Sequence, residues 1–382
     1  MERFVFQSPG KIYCGTAAED VIADCCRQLK GNRIFVVTGR HVSKIKYFAE
    51  IIRSLEAAKL LCRVYISQQA EPTTESVDTL AQAIQTEQSD VVIAIGGGSI
   101  IDQAKAAAML VTNKGNIKEY LFGGTKEVLA ASVPVIAIPT TAGSGSEVTA
   151  AAVIEDAERQ VKLSVTSRFM LPQIVIADAR LHEDMPFSVT ISTGMDALTH
   201  AIEAYTSKRA NIFSDLYARQ AIALIAENLP IVAESPYDTE ARKKMAIASI
   251  MAAVAFSNGG LGVVHGISQA IGGIVSIPHG MANALLLPCV MKMNIPGNVD
   301  RYTEIGRMLG SRSSAEEAAY DAVSVLKQWL NNYEMPEGLQ QFGVTETMIP
   351  QIVRETLKYR LLDCNPVRVT EDKIKNILCE AW

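Results

Sequence analysis

Short apolar runs closed by glycine, proline or polar residues dominate the first half of the chain. They are RIFVVTG (33–39), LCRVYIS (61–67), DVVIAIG (90–96) and VPVIAIP (133–139). Such runs predict strands covered on both faces of a parallel sheet. Helical patterns separate them. One opens at Thr16-Ala17-Ala18-Glu19, the spacing of a capping box, and closes at Gly31. Further strand-like runs occur at AAVIED (151–156) and PQIVIAD (172–178). The opening segment RFVFQSPGKIYCG reads as an extended strand pair with a turn at Ser8-Pro9-Gly10. Beyond MPFS (185–188) the strand signals fade. Ala/Ile/Met-rich helical stretches follow at about 191–206, 212–233, 239–257, 262–272 and 314–332. The pattern predicts an α/β half over 1–185 and a helical half over 186–382.

Composition adds limits. A chain of 382 residues is long for one domain. With 48% hydrophobic and 20% charged residues it is an ordinary globular chain. The net charge of −5, without a Lys/Arg cluster, argues against nucleic acid or an anionic membrane as partner. No apolar run approaches the roughly 18–20 residues of a membrane helix. The start, Met1-Glu2-Arg3 before FVF, has no signal-peptide pattern. Seven cysteines, at 14, 25, 26, 62, 289, 364 and 379, form no CxxC and are odd in number. That usage predicts reduced thiols in a cytoplasmic protein.

Two segments carry candidate chemistry in the first half. DVVIAIG runs into Gly96-Gly97-Gly98-Ser99 and then into the helical pattern IIDQAKAAAMLV. Glycines let the backbone approach an anion, and a helix start offers N–H groups and the positive end of its dipole. The run is not GxGxxG, so the usual dinucleotide motif is absent. A tight strand–helix turn without ligand is the plain alternative. The second segment, Pro139-Thr140-Thr141-Ala142-Gly143-Ser144-Gly145-Ser146-Glu147, also follows a buried strand and offers four hydroxyls to ribose or phosphate. Its plain alternative is a flexible surface loop. Two loops at the ends of parallel strands share the sheet edge where ligands bind in open α/β folds.

The five histidines are 41, 182, 200, 265 and 279. Asp196 and His200, four apart in TGMDALTHAIEAY, share a helix face and suit metal ligation. His265 is flanked by glycines in GLGVVHGISQAIGG, and His279 follows Pro278 in IPHGMAN. One carboxylate and three imidazoles suit Fe²⁺ or Zn²⁺ and suit Mg²⁺ poorly. Taken singly, each of these histidines is more often a hydrogen-bonded core residue than a ligand. His41 and His182 have no such context.

These segments resemble the iron-containing (group III) alcohol dehydrogenase family, in the branch of lactaldehyde reductases and 1,3-propanediol dehydrogenases. GGGSIIDQAKAAA looks like its GGGSxxDxAKxxA loop, PTTAGSGSEVT like its PTTAGTGSEVT loop with Ser144 for threonine, and GMDALTHAIEAY like its DAxxHxxE segment. HGISQAIGGIVSIPHGMANALLLP resembles the segment supplying its last two metal histidines. The likeness runs from about residue 4 to 310. It implies an N-terminal Rossmann-like parallel-sheet domain and an all-helical C-terminal domain, a dehydroquinate synthase-like architecture, with cofactor and metal in a cleft between them. It implies the ligands Asp196, His200, His265 and His279, with His279 near the substrate. The cofactor set it implies is Gly39, Arg40, Gly97, Gly98, Ser99, Asp102, Thr140, Thr141, Ser144 and Lys162. The expected reaction is metal-assisted hydride exchange between NAD(P)(H) and a small alcohol, aldehyde or ketone. A zinc-dependent glycerol-type dehydrogenase, a metal-free reductase and a non-catalytic nucleotide-binding protein of this fold are the alternatives.

Two positions depart from the family's pattern. An acidic residue often follows the second strand and binds the ribose 2′-OH. Here Gly39 stands there, followed by Arg40 and Lys44, which favours NADP(H) over NAD(H). Many members carry a second histidine four residues after the one matched by His265. Here that residue is Gln269, a candidate substrate contact that cannot act as acid or base. The resemblance also implies a homodimer joined through the N-terminal segment.

Overall fold

The structure, a computed structural model, describes residues 4–69, 71–159 and 161–382. It contains two compact units. One is Ser8–Asp184; the other joins the N-terminal segment ending at Gln7 to Met185–Trp382. The division therefore lies one residue before the expected boundary, and the first few residues belong with the later part of the chain.

The first unit is built from β1 (Lys11–Cys14), α1 (Ala18–Gln28), β2 (Arg33–Gly39), α2 (Lys46–Ala57), β3 (Leu61–Ser67), α3 (Thr74–Thr86), β4 (Val91–Gly96), α4 (Gly98–Thr112), β5 (Val135–Pro139), β6 (Ala151–Asp156), β7 (Val161–Thr166) and β8 (Ile174–Ala177). Six strands form a parallel sheet in the order β1-β8-β5-β4-β2-β3. Alternate residues feed two cores. Ile34, Val36, Ile93 and Ile136 pack with Ile22, Ile51 and Leu55 of α1 and α2. Phe35, Val37, Val92 and Ala137 pack with Leu80, Ile101 and Met109 of α3 and α4. Burial on both faces explains why these strands read as unbroken apolar runs. β6 and β7 form a separate antiparallel pair. β7, VKLSVT, alternates polar and apolar residues and gave no apolar run.

Two expectations are corrected here. The N-terminal strand pair does not form: residues 4–9 hold no strand, Arg3 lies outside the described residues, and only Lys11–Cys14 is extended in a sheet, parallel to β8. Instead the Gln7 backbone donates to Asn258 Oδ1 at 2.8 Å, and Asn258 Nδ2 donates back to Gln7 O at 2.9 Å. One side-chain amide thus takes both roles that a partner strand would supply. The Thr16 capping box is also absent. α1 starts at Ala18 with no side-chain cap from its own start. Its first N–H is satisfied by Asp178 Oδ2 at 2.9 Å, from the loop after β8.

The second unit holds α5 (Phe187–Thr206), α6 (Ile212–Glu234), α7 (Thr239–Gly259), α8 (Val263–Gly272), α9 (His279–Asn294), α10 (Val299–Met308), α11 (Ala315–Asn332), α12 (Ile349–Leu357) and α13 (Glu371–Glu380). α5 packs against α6, α7 and α9. α9 buries Met281, Ala282, Asn283, Ala284, Leu285, Leu286 and Leu287 in succession. A helix covered all round lacks a polar stripe, which is why periodicity alone did not mark it. Among the described residues no single helix is long and apolar enough to cross a membrane; α7 and α8 are so only when taken together, and they are bent by 102°.

Candidate functional site

The two glycine-rich loops leave neighbouring strands at matching positions. Gly96 of β4 pairs with Pro139 of β5, and Thr140 N–H donates to Gly96 O at 3.0 Å. α4 begins at Gly98, with Gly97 as its extended N-cap. The first N–H groups of a helix have no partner within it, so this end presents donors to an anion. The loops touch. A Cβ on Gly98 would lie 2.4 Å from Ser144 Oγ and 2.8 Å from Ser144 Cβ, so only glycine lets them close this far. The surface-loop alternative fails for 139–147, because Thr140, Ala142, Ser146 and Glu147 are buried.

A buried charge cluster braces this arrangement. Lys105 Nζ, fully buried, donates to Ser146 O at 2.8 Å, to Thr149 O at 3.3 Å and to Ala151 O. It also faces Asp102 Oδ1 at 3.1 Å. Asp102 Oδ2 accepts the Val153 N–H at 2.9 Å, so this residue ties α4 to β6. Burial raises the Glu147 carboxyl to about 7, with its own backbone N–H and Lys105 opposing only in part. Of the remaining expected cofactor residues, Gly39 ends β2, and Arg40 Nε donates to Gln68 Oε1 at 2.6 Å. Lys162 sits on β7 and pairs with Glu71 at 3.4 Å.

The metal candidates belong to the second unit. Asp196 and His200 lie one turn apart on α5, His265 is in the first turn of α8, and His279 is the first residue of α9. Ligand atoms of Asp196, His265 and His279 all lie within 4.8 Å of one another. His200 joins them through Asp196, Nε2 to Oδ1 at 3.9 Å, and its ring stacks on His265 at 4.5 Å. Asp196, His200 and His265 are buried, whereas His279 is exposed. Close packing of α9 on α5 makes this possible. A Cβ on Gly280 would lie 2.3 Å from Ser192 O, so the residue after His279 has to be glycine.

The centre of this group fits a cation. Asn283 Nδ2 lies 2.7 Å from Asp196 Oδ1, 3.1 Å from His265 Nε2 and 3.2 Å from His279 Nε2. A carboxylate oxygen and two imidazole nitrogens from three helices thus converge on one point. Burial opposes charge on Asp196, but His200, His265 and His279 outweigh it and hold the carboxyl far below its usual range. Burial likewise disfavours a charged His265, yet hydrogen bonds it donates to the Asp196 and Glu203 carboxylates prevail and raise it to about 9. The site therefore favours positive charge, which a proton or a divalent ion can supply. Sequence reasoning assigned no role to Asn283, Glu203 or Lys105. Glu203 and Lys105 stand in the DAxxHxxE and GGGSxxDxAKxxA patterns without a role attached, and the only local signal of Asn283 was its place four residues after His279.

Sheet, loops and donor set are compatible with an oxidoreductase of the iron-containing type. Residues 9–179 match the iron-containing alcohol dehydrogenase family, and residues 190–382 match the C-terminal part of the Fe-containing alcohol dehydrogenase family. The chain belongs to this family and is an alcohol dehydrogenase, interconverting alcohols and their carbonyl compounds. It is 35% identical to the NAD-dependent methanol dehydrogenase of Bacillus methanolicus over 98% of this chain and 99% of the relative. It is 33% identical to the 1,3-propanediol dehydrogenase of Klebsiella pneumoniae over 99% of each chain. A solved 1,3-propanediol oxidoreductase superposes with a TM-score of 0.95 at 33% identity, covering 100% of both chains.

Proposed function

We propose that Asp196, His200, His265 and His279 hold one divalent ion, Fe²⁺ natively with Zn²⁺ or Ni²⁺ able to replace it, and that the substrate is a small primary alcohol, its aldehyde or a small ketone. The observation that carries this reading is the convergence of Asp196, His265 and His279 on the position of Asn283 Nδ2. An ion held by these residues would supply Lewis-acid polarisation of the substrate oxygen. His279, the exposed member, lies on the side open to that substrate. Gln269, one turn after His265 on α8, can donate amide N–H groups to a polar substrate group. In the other unit the start of α4 and the hydroxyls of Thr140, Thr141 and Ser144 hold the phosphates and ribose of a nicotinamide dinucleotide. Asp102 and Lys162 support that site through Lys105 and Glu71.

For the dinucleotide, the name of the B. methanolicus relative favours NAD(H). The preference for NADP(H) read from Gly39 and Arg40 finds no support among the relatives, and the Arg40 guanidinium is engaged by Gln68. The protein is proposed to be a cytoplasmic homodimer. Val5, Ile212 and Leu216 are 77%, 75% and 65% exposed around the Phe4–Phe213 contact, an apolar patch that a second copy would cover. Cysteines 14, 25, 289, 364 and 379 are free thiols, as a reducing compartment would leave them. Metal analysis, with NADH and NADPH oxidation across a panel of small aldehydes, tests the reading. Activity that survives complete metal removal would overturn it.

A further inference from the structure

Glu203 is a buried carboxylate with two different tasks. It lies on α5 seven residues after Asp196, and so on the same helix face. Its Oε1 accepts the Val264 N–H at 2.7 Å, and its Oε2 lies 2.6 Å from His265 Nδ1. Both partners are in the first turn of α8, whose N-cap, Gly262, supplies no side chain. A Cβ on Gly262 would come within 2.8 Å of Glu203 Oε1 and 2.9 Å of Asn365 Oδ1, so the glycine makes room for the carboxylate.

We propose that Glu203 is a positioning residue for the metal centre, fixing His265 in its Nδ1–H tautomer and aiming the Nε2 lone pair at the ion. The inference rests on the ligand set proposed above. Oε1 already accepts the Val264 N–H, and Oε2, an acceptor facing Nδ1, is matched by a hydrogen on that ring nitrogen. The opposite nitrogen, Nε2, then keeps its lone pair, and it is Nε2 that faces Asp196 Oδ1, at 3.7 Å. A carboxylate behind a ligating imidazole also increases its basicity and holds its plane. The competing role is that of a helix cap only. Glutamine separates the two. Its Oε1 still accepts the Val264 N–H, but its amide N–H₂ then meets Nδ1. That demands an acceptor at Nδ1 and moves the hydrogen to Nε2, where it blocks the ion.

The test compares the full-length wild-type chain with Glu203→Gln and His265→Ala, all stripped of metal and titrated with Zn²⁺ against a chromophoric chelator. Glu203→Gln should keep the wild-type circular dichroism and lose about tenfold to hundredfold in Zn²⁺ affinity. In ¹⁵N-histidine spectra of the Zn²⁺-loaded wild type, His265 should show a downfield Nδ1–H signal that His265→Ala lacks. Wild-type affinity in Glu203→Gln, or ligation of wild-type His265 through Nδ1, overturns the inference while leaving the ligand set intact. A wild type that binds no Zn²⁺ removes the ligand set itself. Should Glu203→Gln not fold, the wild-type tautomer decides alone.

Discussion

Glu147 makes the pH dependence of stability a direct probe of the loop cluster. Its side chain is 2% exposed, and burial lifts the carboxyl from 4.5 to about 7. In the unfolded chain it titrates near the ordinary value. Between these values the folded state keeps a proton that the unfolded state has lost, so stability falls as pH rises through the window. Each pH unit corresponds to about 1.4 kcal/mol, so the total is on the order of 3 kcal/mol. Glu147→Gln keeps the size and cannot ionise. The stability of the variant minus that of the wild type should therefore increase by on the order of 3 kcal/mol between pH 4.5 and 8. Urea unfolding followed by circular dichroism at successive pH values measures it. Only the difference between the two proteins matters, so groups common to both cancel. A difference that stays flat across the window would refute the reasoning.

Other expectations follow from single contacts. His265→Ala should remove most bound metal and activity, because affinity depends on the full ligand set; full metal content in this variant would contradict the assignment. Gly98→Ala must displace Ser144, 2.4 Å from the new carbon, so KM for the dinucleotide should rise about tenfold or more at a cost of roughly 1–3 kcal/mol in stability. Cofactor-saturation kinetics check this. Gly280→Ala meets Ser192 O at 2.3 Å, and backbone cannot swing aside. Its melting temperature and metal content should fall together, as calorimetry and metal analysis would show. Comparing kcat/KM for NADH and NADPH decides the weight of Arg40, and a clear NADPH preference would restore the reading that Gly39 and Arg40 suggested.

The sheet was readable because β2, β4 and β5 carry contiguous apolar runs; β3, the edge strand, is broken by exposed Arg63 and leaves Ile66 40% exposed, so the expectation of cover on both faces fails there. β7 alternates and was missed, and α9 was missed for the opposite reason, being buried all round. Asp196 and His200 form a pair within one helix, legible from spacing alone. Their approach to His265 and His279 is a property of three packed helices, and no local pattern encodes it. The residues behind the ligands are harder still. Glu203 has meaning only once α8 begins beside it, and Asn283 only once α9 lies on α5. Asp178 caps α1 from 160 residues further along the chain, a partnership that no capping motif announces.

The membership of the N-terminal segment has a consequence for synthesis. Phe4 and Phe6 pack on Phe213 and Tyr217, and Gln7 bonds Asn258, 251 residues later in the chain. A ribosome adding about 5–20 residues per second needs roughly 10–50 s to deliver those partners. In the last part of that interval, once Asp184 has been made, the first unit can be complete while the aromatic tail still lacks its docking site. The nascent chain thus offers an apolar handle to chaperones, or to another nascent chain, until α7 has left the tunnel.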